Sequence, residues 1–575
     1  MKEIITPLGK VTLSLDTVID ISRNTPLFNR SEEFSIDLEV PRIPNEKIFG
    51  YKWRPATSGE TIPIEARLLF NGREKLRGSI EIVSASYESY NLLLKGSRND
   101  FLFWFGKEKL REQLFEWELF VPGYFPPNEP TEEQILARML FSLSGVLDYM
   151  CFPVYNSVTD NWINCWSFDT SGFTGINNVV YPYHSQDRSM FLRMGAALNR
   201  LFELRGYTVI ENWFDIDPER RNICIFNDMR GINYTFCISS LYPDWTVLDF
   251  INEIEDFFPV TIFIDPRSKT VRILGDDDVV TSVTAGELAP YLERDYTIAF
   301  NEKQSGYDLK YTLPSDDEST ANDYDYIDEY YCFEVYTKHD LPLNPPTGQV
   351  NLVLNEGNLY KPSYDDNDIL SWELIGNVAL GVRDGKGEIS RETKIYPMMN
   401  TTKVQSEEVW ITQENIAPIR KSLNIEMVVP TTAKARPSWK QDLRPMIYRG
   451  YDNAYINPNE INLGYAFNYR SYPKANFLNR KTDGTPFEGQ SMELRWYGDG
   501  GLRGPETIAF LEGADKITGK LLINHVDLEK LDTSKVYTLV GRRVLISELV
   551  IHYAEGDMVE VDVVLLAKKN WVAED

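Results

Sequence analysis

Residues 61–96, TIPIEARLLFNGREKLRGSIEIVSASYESYNLLLKG, constrain the fold more than any other stretch. Ala66, Leu68 and Phe70 alternate with Arg67 and Leu69, and Asn71-Gly72 follows. Asn-Gly supplies the two positive-φ positions of a two-residue type I′ hairpin turn. Leu76, Gly78, Ile80 and Ile82 mark the return strand, and a third strand runs from Tyr90 to Leu94 and stops at Gly96. The pattern predicts an antiparallel meander, a building block and not a catalytic site.

A chain of 575 residues exceeds what one core supports, so several domains are expected. A hydrophobic share of 43% suffices for packed cores and excludes a disordered protein. The formal net charge of −27 argues against a broad nucleic-acid surface and against adsorption to anionic membranes, both of which need clustered Lys and Arg. The first residues lack the apolar run and small-residue cleavage site of a signal peptide, and no apolar run is long enough for a membrane-spanning helix. Cys151, Cys165, Cys224, Cys237 and Cys332 are odd in number and form no CxxC pair, so reduced, mostly buried thiols are expected, as in a reducing cytosol.

Along the chain, Val11 to Leu15 and Phe34 to Val40 alternate as strands do. Asp100 to Phe120 is rich in aromatics suited to core and interdomain packing, so 1–125 reads as one mostly β domain. The Pro-rich 123–130 marks a boundary. Thr131 with Gln134 then forms a capping-box pattern ahead of a helix carrying Ile135, Met139 and Leu143 on one face. Residues 150–187 show little periodicity. A second helix is expected from about Arg188 to Arg205, stopped by Gly206, with a strand over 207–210. A third begins near Thr246 and ends at Pro259, before a hairpin of Val260–Ile264 and Thr270–Leu274. The unit 188–275 is therefore α+β. Residues 315–331 read as an acidic, Tyr-rich loop or arm, followed by strand-like runs over 349–354 and 372–382. Residues 400–515 look irregular. Strands return at 520–523, 536–540, 544–552 and 558–566, with Val540-Gly541-Arg542 at a tight turn. No fixed-period repeat emerges. The fold class is α+β, predominantly β, divided as 1–125, 126–245, 246–320, 321–515 and 516–575.

No residue pattern carries chemistry. His184, His339, His525 and His552 are not at metal-ligand spacing, and HExxH is absent. Asp316 to Asp328 fails the calcium-loop pattern, lacking the central Gly and the terminal Glu, so a solvated loop is expected there and at Asp276-Asp277-Asp278. Gly498 to Gly501 precedes no helix, and neither GxSxG nor GxGxxG stands in a strand-turn-helix context. The expectation is a protein that is not an enzyme, with no catalytic, cofactor-binding or metal-ligating residues.

Four stretches in order nevertheless resemble one family. They are FSIDLEVPRIPNEKIFGYKWRP running into IEARLLFNGREKLRGSIEIVSASYESYNLLLKGSRNDF, then MFLRMGAALNRLFELRGYTV, then WTVLDFINEIEDFFPVTIFIDPRSKTVRI, and last INHVDLEKLDTSKVYTLVGRRVLISELVIHY. With LRWYGDGGLRG, they make the chain similar to the baseplate hub or tail-tip hub proteins of tailed phages. The resemblance covers most of the chain and is weakest over 320–515. It implies two tube-type antiparallel β-barrel or sandwich domains plus α+β lateral domains, with 516–575 completing the second tube-type domain. It implies a homotrimer that caps the hexameric tail tube and adapts it to the tail tip. The implied partners are the tail tube protein, distal tail or baseplate proteins, tail spike or fibre proteins and the tape measure protein, with transient passage of DNA. The implied location is the virion tail, after assembly in the host cytoplasm, with no cofactor. Two alternatives stay open: a receptor- or carbohydrate-binding tail component, on the 12 Trp and 32 Tyr, and a tail-associated cell-wall hydrolase, since 86 acidic residues offer many carboxylate pairs.

Overall fold

The hairpin expected at Asn71-Gly72 forms. In the computed structural model, which describes most of residues 2–164, 188–299 and 443–572 and only isolated strands of 300–442, Asn71 has φ of 50° and Gly72 of 76°. The chain opens with β1 (Lys2–Thr6), β2 (Gly9–Val11), β3 (Ile19–Asn24), β4 (Glu33–Ile36) and β5 (Leu38–Pro41). Helix α1 (Arg42–Phe49) follows, then β6 (Ile64–Phe70), β7 (Arg73–Ala85), β8 (Ser89–Gly96) and α2 (Ser97–Phe105). The alternation of 11–15 does not continue as a strand. Asn45 on α1 accepts from the Thr12 amide and donates to the Thr12 carbonyl, both at 2.8 Å, so the backbone beyond Val11 is bound by a side chain instead of a neighbouring strand. Leu15 lies outside the described residues. The aromatic run from 100 begins inside α2, where Phe101 is buried but Trp104 is 41% exposed, its indole donating to Asp100 at 3.0 Å.

The middle of the chain is α+β, as its periodicity predicts. Helix α3 (Glu132–Ser142) is capped by Thr131 and Gln134 in a reciprocal capping box and buries Ile135 and Met139. The helix expected from Arg188 starts only at α4 (Met194–Glu203), because Phe191–Arg193 is a strand, β9. Arg193 fixes that break: its buried guanidinium donates to the carbonyls of Leu147, Ser142 and Arg221. Strands β10 (Thr208–Asn212) and β11 (Ile223–Phe226) follow. Helix α5 (Val247–Phe257), with a second capping box from Thr246 and Asp249, leads into the hairpin β12 (Val260–Asp265) and β13 (Thr270–Gly275). Parallel pairing of β10 with β13 makes a three-stranded sheet under α4 and α5. Arg98 of α2 and Glu255 of α5, both buried, pair across this layer. The three Asp at 276–278 form the first turn of a short helix (Asp276–Thr281) and not a loop. Residues 315–331 lie outside the described residues, as do 349–352 and 378–382 of the two strand-like runs. The remainder of those runs falls in the strands Val353–Asn355 and Leu370–Asn377.

The region 400–515 is more regular than its punctuation suggests. After β14 (Thr297–Ala299), the strands β15 (Arg444–Ile456) and β16 (Asn468–Asn476) form a long hairpin, and β15 extends the sheet of β9 and β11. The chain ends with β17 (Ala514–Asn524), α6 (His525–Leu528), β18 (Val536–Leu539), β19 (Arg542–Tyr553) and β20 (Met558–Val572).

Both chain ends enter one 13-stranded sheet. Its path is β2-β1-β6-β7-β8-β4-β3-β19-β20-β17-β14, with β5 on β8 and β18 on β19. An apolar layer continuous from Leu38, Leu68 and Leu94 to Leu521, Ile546 and Val561 backs it. Each fully buried aliphatic side chain there contributes roughly 1.5–3 kcal/mol relative to exposure. The protein is thus predominantly β, with several antiparallel sheets and α+β layers packed beside them.

Candidate functional site

The sheet contains the same motif twice. In the first repeat, β5 leads through α1 to β6, β7 and β8, where β6 pairs β7, β7 pairs β8, and β8 returns to β5. In the second, β17 leads through α6 to β18, β19 and β20, with β18 on β19, β19 on β20, and β20 returning to β17. All six pairings are antiparallel. The turns match as well: Val540 and Gly541 have φ of 53° and 75°, against 50° and 76° at Asn71 and Gly72. Residue correspondences follow. In sequence, Glu46-Lys47-Ile48 within α1 recurs as Glu529-Lys530-Leu531 just past α6, and Gly72-Arg73 recurs as Gly541-Arg542. Ile48 and Leu531 are both buried. The connection from helix to hairpin is residues 50–63 in the first repeat and 529–535 in the second.

Strand β3 joins the repeats: it pairs β19 of the second from Ile19↔Tyr553 to Asn24↔Glu548 and, on its other edge, β4, which in turn pairs β8 of the first. His552 sits on this seam. Its Nδ1 lies 2.9 Å from Asp20 on β3 and its Nε2 3.0 Å from Asp562 on β20. A neutral imidazole carries one N–H, so both contacts become hydrogen bonds only with the imidazolium. Partial burial pushes its pKa down, but the two carboxylates outweigh it and the net shift is upward. Register places Glu560 opposite His552, and Lys520 pairs with both Glu560 and Asp562. The second repeat's outer edges are covered by one segment. Ala285 donates to Val536 and Thr538 to Gly286, and β14 then lies along β17.

The α+β unit locks onto both repeats around a cleft of about 280 Å³ lined by Arg23, Arg77, Arg267, Arg272, Glu529 and Asp532. Arg272 pairs with Asp532 at 3.1 Å, and Lys75 of β7 pairs with Glu529 beyond α6. Burial raises the Asp532 carboxyl's affinity for protons, yet Arg272 and Ser534 hold its pKa below the usual carboxylate value. These pairs tie the repeats and the α+β unit together by ionic contacts.

The residues weighed for chemistry are scattered. The His525 ring lies 5.0 Å from that of Phe70, tilted by 35°. His184 and His339 lie outside the described residues, as do Asp316 to Asp328 and Gly498 to Gly501. Asp276 accepts from Thr261 at 2.8 Å, Asp277 from the Thr507 amide at 2.9 Å, and Asp278 lies 3.7 Å from the Arg220 guanidinium, so all three acids have structural partners. Cys151, Cys224 and Cys237 are free and buried, and burial pushes the Cys151 thiol up to about 12. Cys165 and Cys332 lie outside the described residues. Among the described residues no group of three His, Cys, Asp or Glu is placed to hold a metal, and no helix is long and apolar enough to cross a membrane.

No protein-family model and no curated protein matches the chain. Among solved structures, the chain is similar to the 43 kDa tail protein of prophage MuSo2 from Shewanella oneidensis, with a TM-score of 0.31 and 8% identity over 98% of this chain and 95% of that one.

Proposed function

We propose that the chain is a structural phage tail protein, a hub that forms a trimeric ring at the end of the tail tube. One observation carries the reading: a single chain holds two β units of identical connectivity in one sheet. Three such chains in a closed ring present six similar units, and a ring of that kind matches a hexameric tube on one side and a threefold tip on the other. The family resemblance of the four sequence stretches supports the same reading. The role is one of assembly and conduction, and the hub is not an enzyme. Its bore passes the tape measure protein and then DNA. A chain of net charge −27 suits passage, because a negative wall repels phosphates and the duplex slides.

Mass photometry of the purified chain, followed by electron microscopy, tests the proposal. A ring of three subunits with near-sixfold features on one face is expected. A stable monomer, even with purified tail tube protein present, would overturn it.

A further inference from the structure

The two repeats keep one stretch in step residue for residue. Leu38-Glu39-Val40-Pro41 of β5 runs into α1, and Leu521-Leu522-Ile523-Asn524 at the end of β17 runs into α6. Pro41 and Asn524 each stand just before the helix, and from there to Ile48 and Leu531 the spacing is the same, with no insertion. Burial keeps the same order. Leu38, Val40 and Ile48 are buried in the first, Leu521, Ile523 and Leu531 in the second, while Glu39 and Leu522 face out. Helix α6 ends at Leu528, but the backbone keeps turning: the Lys530 amide donates to the Asp527 carbonyl at 3.0 Å and the Leu531 amide to Leu528 at 3.2 Å.

Within this stretch two exposed positions are kept in kind. Ile43 and Val526, each second in its helix, are 74% and 50% exposed. Lys47 and Lys530 follow four residues on, which puts them on the same face of the turn, and both are exposed. Glu46 and Glu529 match as well, but each serves its own chain, Glu46 pairing with Arg42 and Glu529 with Lys75. A β-branched residue on an exposed helix turn gains little burial and forms helix less readily than alanine, so the stability of the chain does not account for one at both sites. Neighbouring positions have diverged: Arg42, Pro44 and Asn45 stand where the second repeat has His525, Asp527 and Leu528. A tyrosine from a different part of the chain borders each helix. The Arg42 guanidinium lies 4.6 Å from the ring centre of Tyr87, in the β7–β8 turn, and Tyr291 donates to Asp527 at 3.0 Å.

We propose that these two helix faces are the surface that docks on the sixfold tube, with Ile43 or Val526 as the apolar anchor and Lys47 or Lys530 beside it. The inference rests on the ring reading above. In a ring of three chains, a feature of one repeat occurs three times and a feature common to both occurs six times. A tube ring of six identical subunits offers six identical sites, so the hub matches them only with what its repeats share. The site on each tube subunit is then an apolar socket with a carboxylate at its rim, the complement of a branched side chain bordered by lysine and tyrosine.

Amide hydrogen exchange of the full chain, alone and bound to purified tail tube protein, tests it. Slower exchange at 42–48 and at 525–531 together is expected on binding. Ile43→Asp and Val526→Asp should each weaken tube binding about tenfold, and together abolish it, while mass photometry still reads three subunits. Lys47→Glu combined with Lys530→Glu should weaken it too, through changes that touch no core. Protection at the Asn71-Gly72 and Val540-Gly541 turns instead would move docking to the other feature the repeats share and overturn this one. Loss of binding from one repeat's variant alone would make the contact threefold, and variants that fall to monomers would assign the face to contacts between chains; either result overturns the docking. A trimer that binds tubes with neither stretch protected would do the same and leave the ring standing. A wild-type monomer, or a trimer that does not bind tubes, would overturn the ring reading and this inference with it.

Discussion

Val540 is the residue whose replacement tests the repeat most directly. It occupies the first position of the β18–β19 turn with φ of 53°, where its counterpart in the other repeat is Asn71. Left-handed backbone costs an L-residue roughly 1–2 kcal/mol, and a β-branched side chain there is an outlier, whereas Asn visits the region readily. Val540 is 79% exposed, so little apolar burial offsets the strain. Its amide donates to Glu287 at 3.1 Å, a bond that any residue except Pro retains. Val540→Asn should therefore stabilise the hairpin by about 1 kcal/mol, roughly a fivefold smaller opening constant. Val540→Gly should gain less, since glycine's freedom in the unfolded chain returns about 0.5–1 kcal/mol. The assay is amide hydrogen exchange across 536–545, read beside a distant reporter such as α5. Exchange slowest in the Asn variant, intermediate in Gly and fastest in wild type is expected. Asn71→Val in the first repeat should shift β6–β7 the opposite way by at least as much. If Val540→Asn exchanges at the wild-type rate or faster, the turn is not left-handed at 540 and the equivalence of the two hairpins fails.

Two pH predictions follow from buried charge. Burial pushes the Asp100 carboxyl up to about 6. The folded state therefore binds this proton more tightly than the unfolded chain, and ionisation costs the fold up to about 3 kcal/mol once pH has risen through 6, with no cost below about 4. Asp100→Asn should be more stable than wild type at pH 8 and equal to it at pH 4 in urea unfolding; a gain independent of pH would refute the assignment. The raised pKa of His552 predicts the complementary behaviour at the seam: its stabilisation is complete below about 6.5 and lost as pH rises through the folded value. Exchange of β3 amides, corrected for intrinsic rates, should speed up over that rise in wild type and stay level in His552→Gln.

What the sequence made legible was local. Asn71-Gly72 sets its own turn, and the Thr131–Gln134 and Thr246–Asp249 boxes satisfy helix ends from within four residues, so each signal sits inside one short window. The misreadings came where a distant partner decided the outcome. Thr12 leaves its strand because Asn45 takes both of its backbone groups. Phe191–Arg193 looks helical by periodicity and becomes a strand because Cys224 and Ile225 pair with it. The β15–β16 hairpin is dense in polar residues and is held by β11, over 200 residues away. The repeat shows no fixed period in the sequence because the helix-to-hairpin connection differs in length and because Val stands where Asn does in the other turn. Glu-Lys-Ile/Leu followed downstream by Gly-Arg is the signal that survives, and it is short enough to need the topology to give it meaning.

In the proposed ring, the seam within a chain would be stiff and the junctions between chains adjustable. Within a chain β3 pairs six residues of β19 and four of β4, β4 pairs two residues of β8, and a shared apolar layer with His552 between two carboxylates backs the seam. The mutual angle of the two repeats is therefore fixed by folding, before any second chain arrives. The two ends of the sheet path are β2 and β14, each three residues long, which is too little pairing to set an angle by itself. In a ring of three chains the rigid and adjustable junctions would then alternate, three of each. A sixfold partner demands six equal angles, and the intrachain seams supply three that do not yield. The remaining three would rest on contacts between chains and would be free to differ. In the proposed hub, threefold symmetry on the tip side would then need no distortion of the β units, only the difference between the two kinds of junction.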